Sequence, residues 1–399
     1  MNKVVVEDRR EVPVLAEVDV AVIGGGTAGM PAAVAAARNG ARTALIERWG
    51  YTGGAAVGGL VITVPKSAGI WGIEQEFYDE LKTLGGVCFV EEQAWYNVSP
   101  PYCKYLGDQY LKRAGVSIFY HCWFADALRH SARIDAVIVQ SKSGRGAIRA
   151  KVFVDCTGDA DVAYGCGVPT IMGDQSGQTL PATMMYMLAN VDAQRFLAHK
   201  QAKKRIPHKT SALEFTWVNP GECNCWGGSV HGDATDMHQL TRMEIELREQ
   251  LIVESRNMQA YLPGFDKAYI SIIAEQMGVR ETRRIVADYT LKQQDTKAMR
   301  VFEDSIGAAW KFTIPYRCLL PRGVENLLVA GRCIGADHAA MDAVRIVPNC
   351  FTTGQAAGTA AALAVSAGVD PRRIDIATLQ ATLGKQGMNL GISPARGTV

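Results

Sequence analysis

VDVAVIGGGTAG, residues 18–29, is the stretch that decides the fold. Its first six residues form a short apolar run, which is typical of a buried parallel strand. The glycine-rich turn leads into an Ala-rich stretch from Met30 to Asn39, which predicts a helix with Pro31 in its first turn and Gly40 just after its end. Residues 41–46 predict the next strand, which ends at Glu47, so the segment forms one complete βαβ unit.

Three glycines of this turn fit the G-x-G-x-x-G pattern of dinucleotide-binding proteins. Gly24 allows the tight turn, Gly26 lets a pyrophosphate approach the backbone, and Gly29 lets the helix pack on the strand. The helix N-terminus then offers free N–H groups and a positive dipole end to the phosphates. Glu47 follows at close to the expected spacing of about 20 residues and would accept hydrogen bonds from the adenosine ribose hydroxyls.

Three further features favour FAD over NAD, since the βαβ unit alone fits both. A second glycine-rich turn, RWGYTGG at residues 48–54, brings backbone amides further along an extended ligand. A β-meander predicted at 117–150 leads into a strand at 151–155 and then CTGD at 156–159. A strand at 327–330 precedes Gly331 and Arg332, and GQAAG at 354–358 is predicted to open a helix. The N-terminus of that helix would stabilise negative charge on the reduced flavin ring.

The chain resembles FAD-dependent oxidoreductases with a glutathione-reductase-type FAD domain, in the group distantly related to fumarate reductase and thiazole-synthase flavoproteins. The more general matching stretches are VDVAVIGGGTAG, LIER and VDCTGDAD. The more specific ones are GVRETRRIVADYTL, IPYRCLLP and NLLVAGRCIGADHAAMDAVRIVPNCFTTGQAAGTAAALA. The resemblance covers nearly the whole chain and implies bound FAD, a discontinuous cofactor domain and a capping substrate domain. It implies no particular substrate, because members of this group serve many chemistries.

We therefore expect an α/β protein with a Rossmann-like FAD-binding domain, built as three layers around a parallel sheet with an added β-meander. That domain is expected to take residues 1–170 and 318–399, and an inserted α+β substrate domain residues 171–317. Within the insert we expect a long helix near 239–260, a second helix near 267–277 and a strand at 279–290. Ligand sites in such folds lie at the domain interface, beside the carboxyl ends of the strands.

The predicted cofactor contacts come from the glycine-rich turns, the strand ends and the C-terminal helix. They are Gly24, Gly26, Thr27, Ala28, Gly29, Glu47, Arg48, Gly53, Gly54, Phe124, Thr157, Gly158, Asp159, Gly331, Arg332, Gln355, Ala356 and Ala357.

Composition and charge argue against several other classes of protein. The 42 basic and 40 acidic residues give a formal net charge of +2, which provides no reason to expect nucleic acid or an acidic membrane surface as a partner. No stretch approaches the roughly 20 apolar residues of a membrane helix. The charged N-terminal residues lack the apolar core of a signal peptide, and the 10 scattered cysteines fit reduced thiols, so we expect a cytoplasmic protein. A homo-oligomer is compatible with the sequence.

Two histidines are candidates for proton transfer. FAD carries the hydride step, so the protein needs orientation, charge and one proton-transfer group at most. His338 follows the predicted strand that ends at Gly331, and His231 lies in the insert. Either could act as a general base, because imidazole titrates near neutral pH. The alternative for each is a hydrogen-bonded structural histidine.

Arginines form a second group of candidates. On the strand predicted at 279–290, Arg280 and Arg284 would share a face and could clamp a carboxylate or neutralise a reduced flavin, while Arg283 would point the other way. The alternative is a salt-bridge network that includes Glu281. The resemblance places Arg345 near the flavin.

Cysteine spacing favours neither a metal site nor a redox-active disulfide. Cys223 and Cys225 form a C-x-C without a second pair at metal-ligand spacing, so we expect no metal. The absence of C-x-x-C argues against a thiol–disulfide oxidoreductase.

Three functions remain open from the sequence. The first is a flavin-dependent dehydrogenase or oxidase that moves a hydride from a small organic molecule to flavin N5, with an electron acceptor that the sequence does not identify. The second is a flavin monooxygenase that uses NAD(P)H, although no second G-x-G-x-x-G unit is present. The third is a flavoprotein without turnover.

Overall fold

The computed structural model describes residues 5–6, 9–65, 69–88, 95–202, 215–309 and 311–392. Its strands are β1 (Val14–Ile23), β2 (Thr43–Ile46), β3 (Thr63–Pro65), β4 (Val87–Cys88), β5 (Trp95–Val98), β6 (Ser117–Phe119), β7 (Trp123–His130), β8 (Arg133–Ser141), β9 (Gly144–Asp155), β10 (Thr170–Ile171), β11 (Ala182–Ala189), β12 (Phe215–Asn219), β13 (Glu222–Val230), β14 (Tyr269–Ile273), β15 (Arg284–Ile285), β16 (Ser305–Ala309), β17 (Phe312–Pro315) and β18 (Leu327–Val329). Its helices are α1 (Gly29–Arg38), α2 (Gly54–Val57), α3 (Ile73–Thr83), α4 (Pro100–Ala114), α5 (Asp161–Gly165), α6 (Ala193–Gln201), α7 (Met237–Tyr261), α8 (Gln293–Lys297), α9 (Met341–Val344), α10 (Val347–Ala367) and α11 (Ile376–Lys385).

The main sheet carries the predicted βαβ unit at its centre. Strands β6, β2, β1 and β9 run parallel in that order, and β18 adds a further parallel strand beside the end of β9. On its other side the first part of β9 pairs with the antiparallel β8, and β8 pairs in turn with the antiparallel β7, so that these three strands form the predicted β-meander. Because β1, β2, β9 and β18 are parallel, their carboxyl ends lie together at one edge of the sheet. This confirms the predicted α/β fold class.

Helices α1 and α10 pack together on one face of the sheet, and glycines make that packing close. A Cβ atom at Gly354 would overlap the carbonyl oxygen of Ala28, and one at Gly358 would overlap that of Ala32. The prediction that GQAAG opens a helix is therefore wrong, because α10 begins at Val347 and these glycines lie in its interior. Their role in the structure is contact between two helices.

A second, antiparallel sheet lies within residues 182–273, in the order β12-β13-β11-β14. The long helix α7, predicted near 239–260, packs against β11 and β13. The hairpin of β16 and β17 packs on α10. The division of the chain at residues 171 and 317 stays a prediction. Among the described residues, no helix combines the length and the apolar composition that crossing a membrane requires.

Two predicted elements of this region are wrong. Residues 267–277 do not form a helix, because Tyr269–Ile273 is an edge strand that pairs with β11. Residues 279–290 do not form one long strand, because Arg284 and Ile285 pair with β10 and Ala287 makes an isolated bridge with Pro321. In both segments, pairing with distant strands sets where the strand lies and how long it is.

Candidate active site

A cavity of about 400 Å³ lies at the carboxyl ends of β1, β2, β9 and β18. The glycine-rich loop after β1 and the segments after β2 and β9 line one side of it. The second sheet, the start of α7 and residues 276–280 line the other side. The cavity therefore lies between the two sheets, where ligands bind in folds of this kind.

The glycine-rich loop has the geometry that a pyrophosphate requires. Gly24 has a φ of +96°, and a Cβ atom there would overlap the carbonyl oxygen of Cys156. A Cβ atom at Gly29 would overlap the carbonyl oxygen of Gly24, so only glycine lets α1 start so close to β1. Gly26 lines the cavity, and a Cβ atom there would have no neighbour within 4 Å. The space beside Gly26 is thus open to a ligand.

Two helix N-termini reach the same cavity. The N-cap of α1 is Ala28 and that of α10 is Ile346; neither has a side-chain cap, and both residues line the cavity. Amides and the positive dipole ends of both helices therefore favour negative charge in the cavity. Such charge arises on a pyrophosphate and on a reduced flavin ring.

Glu47 lies at the end of β2 and lines the cavity as predicted. Its carboxylate accepts hydrogen bonds from the backbone N–H of Gly25 at 2.5 Å and of Trp49 at 2.7 Å. Burial raises the pKa of Glu47, and the two backbone donors oppose that rise. The carboxylate is held in place by these bonds and has further lone pairs for the two ribose hydroxyls.

Arg48 lies between two indole rings beside Glu47. Its guanidinium carbon is 5.6 Å from the ring centroid of Trp49 and 5.3 Å from that of Trp123. Gln276 Oε1 accepts hydrogen bonds from Arg48 at 3.2 Å and from Trp49 Nε1 at 3.0 Å. These contacts connect the end of β2 to the loop after β14.

Asp159 and Arg332 form an ion pair at the ends of β9 and β18. Arg332 Nη2 lies 2.5 Å from Asp159 Oδ1, and Thr282 Oγ1 donates to the same oxygen at 2.6 Å. Burial opposes ionisation of Asp159, but the charge of Arg332 and the hydrogen bonds outweigh it and hold the pKa of Asp159 below its ordinary value. The buried Nε of Arg332 has no hydrogen-bond partner among the described residues, so it can donate to a ligand.

Most of the predicted cofactor residues meet at this cavity. Those that line it are Gly24, Gly26, Thr27, Ala28, Glu47, Arg48, Gly54, Phe124, Thr157, Gly158, Asp159, Gly331 and Arg332. Gly29 and Gly53 belong to the glycine-rich turns but do not line the cavity. The N–H of Gly53 donates a hydrogen bond to Gly25 O at 2.8 Å.

Three predicted contacts lie away from the cavity, inside α10. Gln355, Ala356 and Ala357 are buried there, and Gln355 Oε1 accepts a hydrogen bond from Ile73 N at 2.9 Å. The sequence predicts them to contact the ligand because it predicts that α10 starts at Gly354, seven residues after its observed start at Val347. The residues that reach the cavity in their stead are Ile346, Val347, Pro348 and Cys350.

Of the five predicted catalytic residues, Arg280 and Arg345 line the cavity. Arg345 Nη2 donates to Asp342 at 2.7 Å, and its buried Nε has no hydrogen-bond partner among the described residues. Arg345 directly precedes the N-cap of α10, so its charge adds to that of the helix N-terminus. Arg284 does not share a strand face with Arg280, because no strand connects them.

His338 and Arg284 belong to a buried group around Glu281. His338 Nδ1 lies 2.8 Å from Glu281 Oε2, which also accepts a hydrogen bond from Leu180 N at 2.8 Å. Arg284 pairs with Glu281 and donates to Gly173 O at 3.0 Å, and burial lowers the pKa of Arg284 to about 10. For Arg284 the structure matches the alternative of a salt-bridge network. None of the three residues belongs to the described lining of the cavity.

His231 lies at a different cavity, of about 380 Å³. Its Nδ1 is 3.1 Å from Thr179 O and 3.3 Å from Gln178 Nε2. The structure therefore does not bring His231 to the cavity that holds the glycine-rich loop.

The wall opposite that loop was not predicted from the sequence. It includes Thr183 and Met185 of β11, Trp226 of β13, Leu240 of α7, and Met277. No motif marks these residues, because strand pairing alone brings them together. Cys223 and Cys225 lie nearby but are buried, and the described residues contain no cluster of three or more His, Cys, Asp or Glu that would suit a metal.

The fold and the cavity define a dinucleotide-binding flavoprotein with a second sheet over its ligand site. The matching family is the FAD dependent oxidoreductase family, whose model aligns with residues 19–311 and 308–383. The chain belongs to this family. It is therefore an enzyme with FAD as its cofactor, as predicted.

Solved structures with similar folds include a reductase-like protein, a monooxygenase and a brominase. A geranylgeranyl bacteriochlorophyll reductase-like protein from Thermoplasma acidophilum matches with a TM-score of 0.54 and 13% identity, over 94% of this chain and 84% of that one. The p-nitrophenol 4-monooxygenase PnpA from Pseudomonas putida DLL-E4 matches with a TM-score of 0.50 and 11% identity, over 95% and 91%. The flavin-dependent brominase Bmp2 matches with a TM-score of 0.50 and 12% identity, over 92% and 83%. At these identities the likeness shows the fold alone. A search of curated protein sequences gave no match.

Proposed function

We propose that this oxidoreductase oxidises a small organic substrate by hydride transfer to flavin N5. The observation that carries the proposal is the shared cavity, since one side suits a dinucleotide and the other is a wall of apolar side chains. FAD, when bound, supplies the hydride acceptor. The apolar wall excludes water from the substrate, while Arg345 and the N-terminus of α10 stabilise negative charge as it develops.

His338 is the proposed general base, and Glu281 positions it. His338 Nδ1 lies 2.8 Å from buried Glu281; in the proposed tautomer Nδ1 carries the proton and donates it to the carboxylate, which leaves Nε2 able to accept a proton from the substrate. His338 is not part of the described lining of the cavity, so the proposal requires its Nε2 to reach the substrate through one water molecule or a movement of the side chain. Removal of an O–H or N–H proton by such a base typically contributes about 10²–10⁴-fold to the rate.

The test is anaerobic stopped-flow reduction of the FAD-loaded enzyme by a panel of small alcohols, amines and acids. The proposal requires at least one of these substrates to bleach the flavin without NAD(P)H. His338→Ala should then slow reduction about 10²-fold or more at saturating substrate. Glu281→Gln should slow it less and move the pH profile of reduction, because the imidazole loses its carboxylate partner. His130→Ala, at an exposed strand end, is the matched control. Wild-type rates in both His338→Ala and Glu281→Gln would remove the base from the proposal.

A flavin monooxygenase is the second candidate function. It is favoured by the wall itself, since the described residues that line it include no carboxylate, imidazole or amine, and Arg280 stays protonated and cannot act as a base. A substrate that is oxygenated needs no proton-abstracting group on that wall. Bleaching of the flavin by NAD(P)H, with no bleaching by any substrate alone, would select this candidate.

A further inference from the structure

We infer that the substrate carries a flat apolar body that binds against the Met185–Trp226 pair of the second sheet. The inference rests on the proposed function in one respect, namely that the wall opposite the glycine-rich loop faces the substrate. It adds the chemical class of the molecule, which is an aromatic or similarly planar compound.

Strand register places the two side chains next to each other. Met185 of β11 lies directly opposite Trp226 of β13, so both project from the same face of the sheet. Thr183 is two residues before Met185 and lines the same cavity. Tyr186 projects from the other face, where its hydroxyl donates to Met258 of α7 at 3.3 Å. One face of the sheet is thus covered by α7, and the other is left for a ligand.

An irregularity in the strand pairing follows Trp226 directly. The register between β11 and β13 shifts between Thr183 and Met185, which leaves an extra residue on β13 at the pair Gly227-Gly228. A Cβ atom at Gly227 would overlap the carbonyl oxygen of Met184, so this bulge requires glycine. Bulges re-aim neighbouring side chains and are frequent beside active sites.

The surroundings of Trp226 are apolar and leave its ring partly uncovered. Met185 and Met277 are 1% and 4% exposed, whereas Trp226 and Leu240 are only half-buried. Thioether and indole groups bind planar rings well, through stacking and sulfur–aromatic contacts. A ligand that binds over the exposed part of the Trp226 ring removes apolar surface from water, which favours binding.

The wall is held in place before any ligand arrives. Gly278 N donates to Thr183 O at 2.6 Å, and Asn224 Nδ2 donates to Leu60 O at 3.1 Å, which ties the second sheet to the segment after α2. Because a rigid wall loses little conformational entropy on binding, little of the favourable free energy of its apolar contacts is offset.

The experiment titrates the oxidised, FAD-loaded enzyme with acetate, benzoate and 2-naphthoate, with the flavin absorbance spectrum as readout and equilibrium dialysis as a second measurement. These probes share one carboxylate and differ in flat apolar area. We expect benzoate to bind at least tenfold tighter than acetate, and 2-naphthoate tighter again, because the free energy of binding becomes more favourable in proportion to the apolar area removed from water. Trp226→Leu should weaken the two aromatic probes about tenfold and leave acetate unchanged.

Tyr269→Leu is the matched control, because this aromatic side chain is exposed on an edge strand of the same sheet. Leu240→Ala, on α7, provides an independent test if Trp226→Leu does not fold, and it should shift the same two probes in the same direction. Equal binding of acetate and benzoate, or equal weakening of all probes by either variant, would overturn the inference. The titrations involve no turnover, so failure of the proposed function would appear separately, as flavin that no substrate reduces.

Discussion

The two sides of the cavity differ in the groups that form them: backbone atoms predominate on one side and side chains on the other. The side that faces the cofactor consists largely of backbone, with glycines at Gly24, Gly26 and Gly29 and two uncapped helix N-termini. The opposite side consists of side chains from paired strands, chiefly Met185 and Trp226. A backbone site fails when a single methyl group is added at the wrong place. A side-chain wall changes its shape with each substitution while the fold stays the same, which is how one cofactor fold serves many substrates.

The strongest way to break the backbone side is Gly29→Ala. The added Cβ would overlap the carbonyl oxygen of Gly24, so the start of α1 must move away from β1. We expect a loss of about 3 kcal/mol in the free energy of unfolding, the upper part of the usual range for overpacking, together with loss of bound FAD. Urea unfolding and the flavin content of the purified protein measure the two effects. Gly384→Ala, where a Cβ meets nothing within 4 Å, is the control; equal stability of the two variants would refute the explanation.

Gly26→Val separates ligand binding from folding on the same loop. A Cβ atom there meets no protein atom within 4 Å, so the free energy of unfolding of the FAD-free protein should change by less than about 1 kcal/mol. The same side chain would occupy the space of the pyrophosphate, so FAD should be absent from the purified variant. Normal flavin content would mean that the pyrophosphate lies elsewhere.

Glu47 is the acidic side chain predicted to bind the ribose hydroxyls. Glu47→Ala should weaken FAD binding by roughly 1.5–3 kcal/mol, the range for hydrogen bonds to a charged group. Part of that loss comes from Gly25 N and Trp49 N, which lose their acceptor. Glu47→Gln keeps one acceptor oxygen and should lose less. Isothermal titration of the FAD-free protein gives both values, and equal affinity of Glu47→Ala and wild type would disprove the role.

The smallest expected effect concerns Asp161, which lines the cavity beside Asp159. Burial, together with the charges of Asp159 and Asp155, raises the pKa of Asp161 from 3.8 to about 7. The native protein then keeps a proton that the unfolded chain releases, so this stabilising contribution is full below pH 3.8 and is lost as the pH rises to about 7. Asp161→Asn should flatten the fall in melting temperature over that range. Asp79→Asn, on the exposed face of α3, should leave it unchanged.

Local chemistry explains what could be predicted from the sequence. The turn of β1 into α1 and the position of Glu47 follow from glycines and apolar runs that act within a few residues. The same holds for the meander of β7, β8 and β9, whose strands are neighbours in the chain. Thirteen of the predicted cofactor residues line one cavity because these short-range elements place them there.

Long-range pairing explains what could not be predicted. The segment from Tyr269 to Ile273 is a strand because β11 lies beside it, and its β-branched isoleucines were the available signal. The start of α10 also had a signal, since Pro348 occupies the first turn, where proline is favoured. The group of His338, Glu281 and Arg284 joins residues from two separate segments, and no spacing in the sequence announces it.

A series of hydrogen bonds links the glycine-rich loop to the second sheet through residues 53–60. Gly53 N donates to Gly25 O, Glu275 N donates to Gly58 O, and Asn224 Nδ2 donates to Leu60 O, with all three distances at 3.1 Å or less. Residues 53–60 therefore connect the loop predicted to bind the cofactor with the wall proposed to bind the substrate. A displacement of the wall is therefore expected to pull on the loop predicted to bind the pyrophosphate. Changes within residues 53–60 should then affect the binding of cofactor and of substrate together.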